Sequence, residues 1–250
     1  ETAPLLAWVW QTSVWGANID AEKVFSEWFM LTWSGKWLYS NEVLSERLTS
    51  KEVLREDDCR IVKDLWKLLD EADIVIAHNG SKFDIPNINT RFIINGLKPT
   101  SFYRQIDTLL VARKQFGFTH NNLSALAKLF GFEGKIGTNF NLLKRCLKGD
   151  ENALKEMEIY NRNDVILLED VYLKLRPWIK SHPNVAMYIE SDKEVCSNCG
   201  SSDLKEKGNY YTNAGKYKSF QCNVCDGFSR ARFNEYPINK KNKLLTSIPR

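Results

Sequence analysis

Two pairs of cysteines carry the plainest chemical pattern in the sequence: Cys196-Ser-Asn-Cys199 and Cys222-Asn-Val-Cys225, with 22 residues between them. Four thiolates so arranged predict a tetrahedral zinc ribbon, in which the metal replaces a core too small to form by itself. Two disulfides or an iron–sulfur cluster are the alternatives. A site closed by four protein ligands has no open position, so its expected role is structural. Carboxylates make the second pattern. Asp84 ends the segment His78-Asn79-Gly80-Ser81-Lys82-Phe83-Asp84, which follows the apolar run Ile74 to Ala77, and Tyr160 and Asp164 stand four residues apart. That spacing puts the phenol and the carboxylate one turn apart on one helical face. Carboxylate oxygens suit hard divalent cations such as Mg²⁺ or Mn²⁺. Each piece also has an ordinary structural reading, Asp84 as the cap of a helix starting near Pro86 and Asp164 as a solvated neighbour of a half-buried Tyr160. The third pattern interleaves cations with aromatics, from Lys205 through Tyr210, Tyr211, Lys216, Tyr217 and Lys218 to Phe220, with Arg230 and Arg232 beyond. It suits phosphate neutralisation and base stacking, or else a solvated β-hairpin.

Periodicity predicts the elements that hold these groups. Residues 24–39, dense in aromatic and β-branched types and broken by Ser34-Gly35, predict a hairpin. A helix capped by Asp57 or Asp58 and running to about Glu71 leads into Ile74–Ala77, predicted as a fully buried parallel strand. Loops at the carboxyl ends of such strands collect ligands, which places Asp84 well. Pro86 opens a further helix with Ile88, Phe92 and Ile93 on its buried face, ending at Asn95-Gly96. Helices follow from Thr108 to about Phe116 and from Asn122 to Phe130, with Asp107 as a supporting cap. The longest spans Glu151 to Leu175, its apolar side made of Leu154, Met157, Ile159, Val165, Leu168, Val171, Tyr172 and Leu175. Strands first, helices later and at least one crossover predict an α/β core with a mixed sheet flanked by helices.

Taken in order, Glu1-Thr2, the Asn79-x-x-x-Phe83-Asp84 segment and Tyr160-x-x-x-Asp164 resemble the three motifs of the DEDD exonuclease superfamily, in its DEDDy branch. The likeness is closest to family B polymerase proofreading domains and related phage exonucleases, and it covers Glu1 to about Pro177. It implies an RNase H-like fold and 3′→5′ removal of nucleotides by two Mg²⁺ or Mn²⁺ ions roughly 4 Å apart. Glu1, Asp84 and Asp164 match metal-binding positions, and Tyr160 matches the residue that orients the attacking water. A phenol with a pKa near about 10 is a poor general base at neutral pH. Thr2 matches a position near the terminal nucleotide; Asn79 and Phe83 are candidates to contact that nucleotide, with Phe83 as a core residue the alternative. The motif's first Asp would stand two residues before Glu1, so the natural protein is expected to extend upstream. The cysteine module is similar to zinc ribbons of insertion-element proteins.

Length and composition set the frame. The 250 residues suit an exonuclease domain over 1–190 and a zinc ribbon with a basic tail over 191–250, joined by a linker near 188–195. From Cys196 onward, ten Lys and Arg stand against four Asp and Glu within a net charge of +4, the bias an anionic polymer favours. The expected partner is nucleic acid, DNA in preference to RNA and single-stranded most of all, with Lys216, Lys218, Arg230 and Arg232 gripping it. No apolar run reaches the ~18 residues of a membrane span. The apolar stretch from Leu5 to Trp10 breaks at Gln11 and has no basic flank, so no secretory signal is read there. The expected compartment is the cytoplasm, that of a bacterial host for a phage protein. Cys59 and Cys146 read as small buried hydrophobes. An RNA 3′ exonuclease and a nucleic-acid-binding protein on a retired nuclease core are the competing readings.

Overall fold

The computed structural model describes residues 1–3, 6–7, 21–132 and 140–246. The stretch Leu5 to Trp10 lies outside them except for Leu6–Ala7, as does Arg250 of the basic tail. Nine strands occur among the described residues: β1 Leu6–Ala7, β2 Val24–Ser26, β3 Thr32–Gly35, β4 Leu44–Arg47, β5 Ile74–Ala77, β6 Arg104–Asp107, β7 Leu204–Thr212, β8 Gly215–Cys222 and β9 Phe228–Arg230. The helices are α1 Ser50–Leu54, α2 Cys59–Glu71, α3 Asp84–Ile94, α4 Thr108–Gln115, α5 Leu123–Leu129, α6 Phe140–Leu147, α7 Glu151–Leu175 and α8 Ile238–Lys241. Two units divide the chain: Glu1–Leu110 with Phe118–Val171, and Val111–Gly117 with Tyr172–Arg250. This is the mixed α/β class expected, with the strands paired in small sheets.

In the first unit, β3 pairs antiparallel with β4, and Glu1–Ala3 runs beside residues 29–32, with Thr2 bridging Met30. Ala3 N donates to Phe29 O at 2.8 Å, and Leu31 N donates to Glu1 O at 2.8 Å. The core gathers under this layer, with Leu31, Leu48, Ile61 and Val62 fully buried beside Leu154 and Met157 of α7. The predicted hairpin over 24–39 is misplaced. Ser34 and Gly35 are strand residues paired with Ser45 and Leu44, and the chain reverses between Lys36 and Val43. Gly35 marks packing instead of a turn, because a Cβ there would stand 3.2 Å from the Leu68 side chain of α2.

The crossover is as expected: α2 feeds β5, and β5 pairs in parallel with β6. Strand β6 was not read from the sequence, since Arg104-Gln-Ile-Asp107 has little apolar character. Strand β5 is partly exposed throughout, where full burial was expected, because its described pairing lies on one edge only. On α3, Phe92 is buried but Ile93 is 76 % exposed, and Arg91 takes the buried place at 7 %. The cause is Asp58, which is 1 % exposed. It accepts from Arg91 Nε and Nη2 at 2.6 and 2.7 Å and from Met30 N at 2.8 Å. That leaves Asp57 to cap α2 through Cys59 N at 3.1 Å. Helix α6, absent from the sequence reading, buries Leu142 and Cys146.

Helix α7 has the bounds the spacing predicts, with a shifted buried face. Ile159 is 56 % exposed, while Ala153 and Leu167 are buried. Ala153, Met157, Tyr160, Asp164, Leu167 and Val171 follow one another at steps of three and four, which makes one core-facing stripe. The opposite side is tied to the β3–β4 hairpin. Glu158 pairs with Arg47 at 3.1 Å and accepts from Ser45 Oγ at 2.6 Å, and Arg162 donates to that hydroxyl at 2.8 Å. Glu151 pairs with Arg47 at 3.0 Å, and Glu169 accepts from Lys36 and from Tyr39 N.

In the second unit, β7 and β8 form a hairpin turned at Asn213-Ala214, and β9 adds to β8. Beside these strands lies a small buried cluster of Cys196, Cys222 and Cys225, flanked by Cys199 and Leu204. Among the described residues no helix is long and apolar enough to cross a membrane.

Candidate active site

The loop that delivers Asp84 is built by its own short-range geometry. Strand β5 ends at Ala77, and Asn79 then takes a left-handed conformation (φ 70°), which asparagine tolerates better than most residues. Gly80 follows because a Cβ there would collide with the Ala77 side chain and stand 3.0 Å from Gln105 Nε2. Phe83 N and Ile85 N donate to Asn79 O and Gly80 O at 3.0 and 2.9 Å, winding the chain into α3 with Asp84 as its first residue. A carboxylate at a helix N-terminus meets the positive end of the helix dipole.

Asp107, at the end of β6, secures this loop. Its Oδ1 accepts from Asn79 N at 3.0 Å and its Oδ2 from Ser81 N at 3.1 Å. Oδ1 also accepts from Leu109 N and Leu110 N, at 3.0 and 3.3 Å, so the expected cap of α4 is present. Burial pushes the Asp107 carboxyl upward, but the hydrogen bonds from Ser81, Asn79 and Leu110 outweigh it and hold the group below the usual carboxylate range. The sequence reading gave Asp107 the cap alone. Its hold on the loop depends on β6 lying beside β5, a non-local pairing that nothing in the local pattern signals.

Asp84 departs in the other direction. Burial raises its pKa, and the carboxylates of Glu1 and Asp107 raise it further. Glu1 and Asp84 are therefore electrostatic neighbours, though 83 residues separate them in sequence. Glu1 owes its place to the pairing with residues 29–32, which also leaves Thr2 half-buried. Asn79 is half-buried, and Phe83 is 51 % exposed at the mouth of the loop. Tyr160 packs against the main core and Asp164 is partly exposed one turn on.

The donor chemistry of Glu1, Asp84 and Asp164 fits a hard divalent cation, and the pKa of Asp84 is raised first by burial and then by the nearby carboxylates of Glu1 and Asp107. Their oxygens are not drawn into a trio within 4.8 Å of one another.

Among the described residues, the one group of at least three His, Cys, Asp or Glu within that distance is the cysteine quartet. Cys196 and Cys225 Sγ are 3.6 Å apart, as are Cys199 and Cys222. Four sulfurs at ~2.3 Å from a central zinc would stand roughly 3.8 Å apart, whereas a disulfide needs about 2 Å. Both pairs form the same turn. Asn198 N points at Cys196 Sγ and Val224 N at Cys222 Sγ, each at 3.4 Å, and a left-handed residue follows each second cysteine, Gly200 (φ 76°) and Asp226 (φ 58°). The quartet is thus consistent with a zinc ribbon.

The cations assigned to substrate binding are partly engaged elsewhere. Lys216 pairs with Glu235 at 3.6 Å and Lys218 with Glu206 at 3.8 Å, while Arg230 lies 4.1 Å from the Tyr217 ring. Arg232 is exposed.

No curated protein matches the chain. Residues 40–176, over half of its length, match the RNase H superfamily. The chain therefore belongs to the RNase H superfamily, whose members are generally nucleases that process nucleic acid with divalent metals.

Proposed function

We propose that the protein is a metal-dependent 3′→5′ exonuclease of the DEDDy type, acting on single-stranded DNA in preference to RNA. Glu1, Asp84 and Asp164 would hold Mg²⁺ or Mn²⁺, which when bound lowers the pKa of water and neutralises charge on the scissile phosphate. The observation that carries this reading is the state of Asp84, a half-buried carboxylate at the start of α3, beyond the loop that follows β5, whose pKa is raised by burial and by Glu1 and Asp107. A purely structural cap would be expected to move the other way, as Asp107 does.

The remaining roles are those that the resemblance and the residue chemistry suggest. Tyr160, one turn before Asp164 on the same stripe, orients the attacking water by hydrogen bonding through its hydroxyl. Thr2 and Asn79 meet the terminal nucleotide, and the exposed Phe83 ring offers it a stacking surface. The domain boundaries we assign are 1–190 for the nuclease and 191–250 for the ribbon, with one structural zinc. Lys216, Lys218, Arg230 and Arg232 supply its nucleic-acid contacts. The compartment would be a reducing cytoplasm, a phage host's included, where free thiols persist.

The test is release of label from 3′- and 5′-labelled single-stranded DNA and RNA with Mg²⁺ or Mn²⁺. Metal-dependent loss of the 3′ label, absent in Asp84→Ala, is expected, with DNA degraded faster. Faster loss from RNA would make it an RNA exonuclease. Binding with no cleavage of either polymer would make it a nucleic-acid-binding protein on a retired nuclease core.

A further inference from the structure

The second unit carries a groove that the assignments above leave unused. Three segments line it: residues 177–180 and His182 beyond α7, the first cysteine turn at Ser197 and Asn198, and Phe228 at the start of β9. Two aromatic rings stand in it with much of their surface in solvent, Trp178 at 61 % and Phe228 at 59 % exposed. Lys180 is the charged residue of the lining, which contains no carboxylate.

The walls are fixed. Phe116 meets the Trp178 ring edge-on at 5.6 Å. Ser197 N donates to Ser229 Oγ at 3.1 Å, and Val185 N donates to Ser197 O at 2.8 Å. His182 Nδ1 donates to Pro183 O at 2.7 Å, and its Nε2 accepts from the Tyr172 hydroxyl at 2.8 Å. Asn198, 7 % exposed, also lines the groove, and its Oδ1 accepts from Ser197 Oγ at 3.1 Å. Aromatic rings that stay in water beside a lysine suit flat, partly polar ligands on an anionic chain.

We propose that this groove binds unpaired nucleobases of a single-stranded nucleic acid, with Trp178 and Phe228 as stacking platforms and Lys180 on an adjacent phosphate. The proposal rests on the reading of the protein as acting on nucleic acid. The occupant follows from charge complementarity, since ten Lys and Arg against four acids follow Cys196.

The full chain, zinc-loaded and carrying Asp84→Asn to prevent cleavage, would be titrated by fluorescence anisotropy. The probes are oligothymidylate and oligouridylate of about fifteen nucleotides and an abasic phosphodiester of equal length. Trp178→Leu and Phe228→Leu keep an apolar side chain and remove the ring. Each is expected to weaken binding to the base-bearing oligomers roughly tenfold and to leave the abasic oligomer unchanged. Lys180→Ala should lower the slope of log affinity against log salt by about one contact. Thiolate-to-cobalt absorption after metal exchange confirms that each variant keeps its ribbon. Equal affinity of both ring variants and the parent overturns the groove assignment alone. A parent that binds none of the three oligomers overturns the nucleic-acid reading with it. Thymidylate or uridylate preference identifies the polymer.

Discussion

Asp84 and Asp107 lie at the ends of adjoining elements and respond oppositely to the fold, which makes pH a probe of each. The pKa of Asp107 is depressed, so its contribution to stability is fully present above the ordinary carboxylate value of 3.8 and is lost as pH falls through the lower folded value. Asp107→Ala removes the acceptor for Asn79 N and Ser81 N. We expect a loss of about 1–3 kcal/mol in urea unfolding at neutral pH, shrinking in acid. The Asp84 pKa is raised, and the sign reverses. Ionisation opposes folding above the raised value, and the penalty vanishes below 3.8. Asp84→Asn should therefore melt higher than the parent at pH 7 without divalent ions, with the difference gone in acid. Added Mn²⁺ should raise the melting temperature of the parent and not that of the variant. A parent that gains nothing from Mn²⁺ would count against a metal role for Asp84.

At the scale of elements, the Asp58–Arg91 pair joins α2 to α3, while Met30 N ties the same carboxylate to the segment that Thr2 bridges. Buried pairs of this kind cost about 3–5 kcal/mol when one partner is removed. Arg91→Ala is expected to destabilise the chain by that amount, read from the shift of its urea midpoint. Neither residue was legible as a core group. An arginine on a helix reads as solvated until the aspartate that balances it is known, and Asp58 sits where a helix cap is expected. What could be read was what short-range chemistry decides. Helix α7 has its predicted ends, α3 stops at Asn95-Gly96, and the cysteine pairs come together. What could not be read depends on neighbours distant in sequence. Gly35 faces Leu68, β6 acquires its strand from β5, and Ile93 loses its buried place to Arg91.

For the whole molecule, six cysteines report on two environments. Cys146 is fully buried, and burial pushes its thiol up to about 11, so it should resist a thiol reagent at pH 8. With zinc bound, only the partly exposed Cys59 should react, and chelation under denaturing conditions should release all six. Reaction of the quartet in the native, zinc-loaded protein would argue against a closed four-thiolate site. Helix α7 has a further bearing on how the sequence can change in length. Its hairpin contacts at Glu151, Glu158, Arg162 and Glu169 and its core stripe through Asp164 occupy opposite sides of one cylinder. One residue added or removed between Glu158 and Asp164 would turn everything beyond it by about 100°, so both sets could not be kept. Natural relatives should then vary in length between Lys36 and Val43, where the hairpin reverses, while holding the count from Glu151 to Val171 constant.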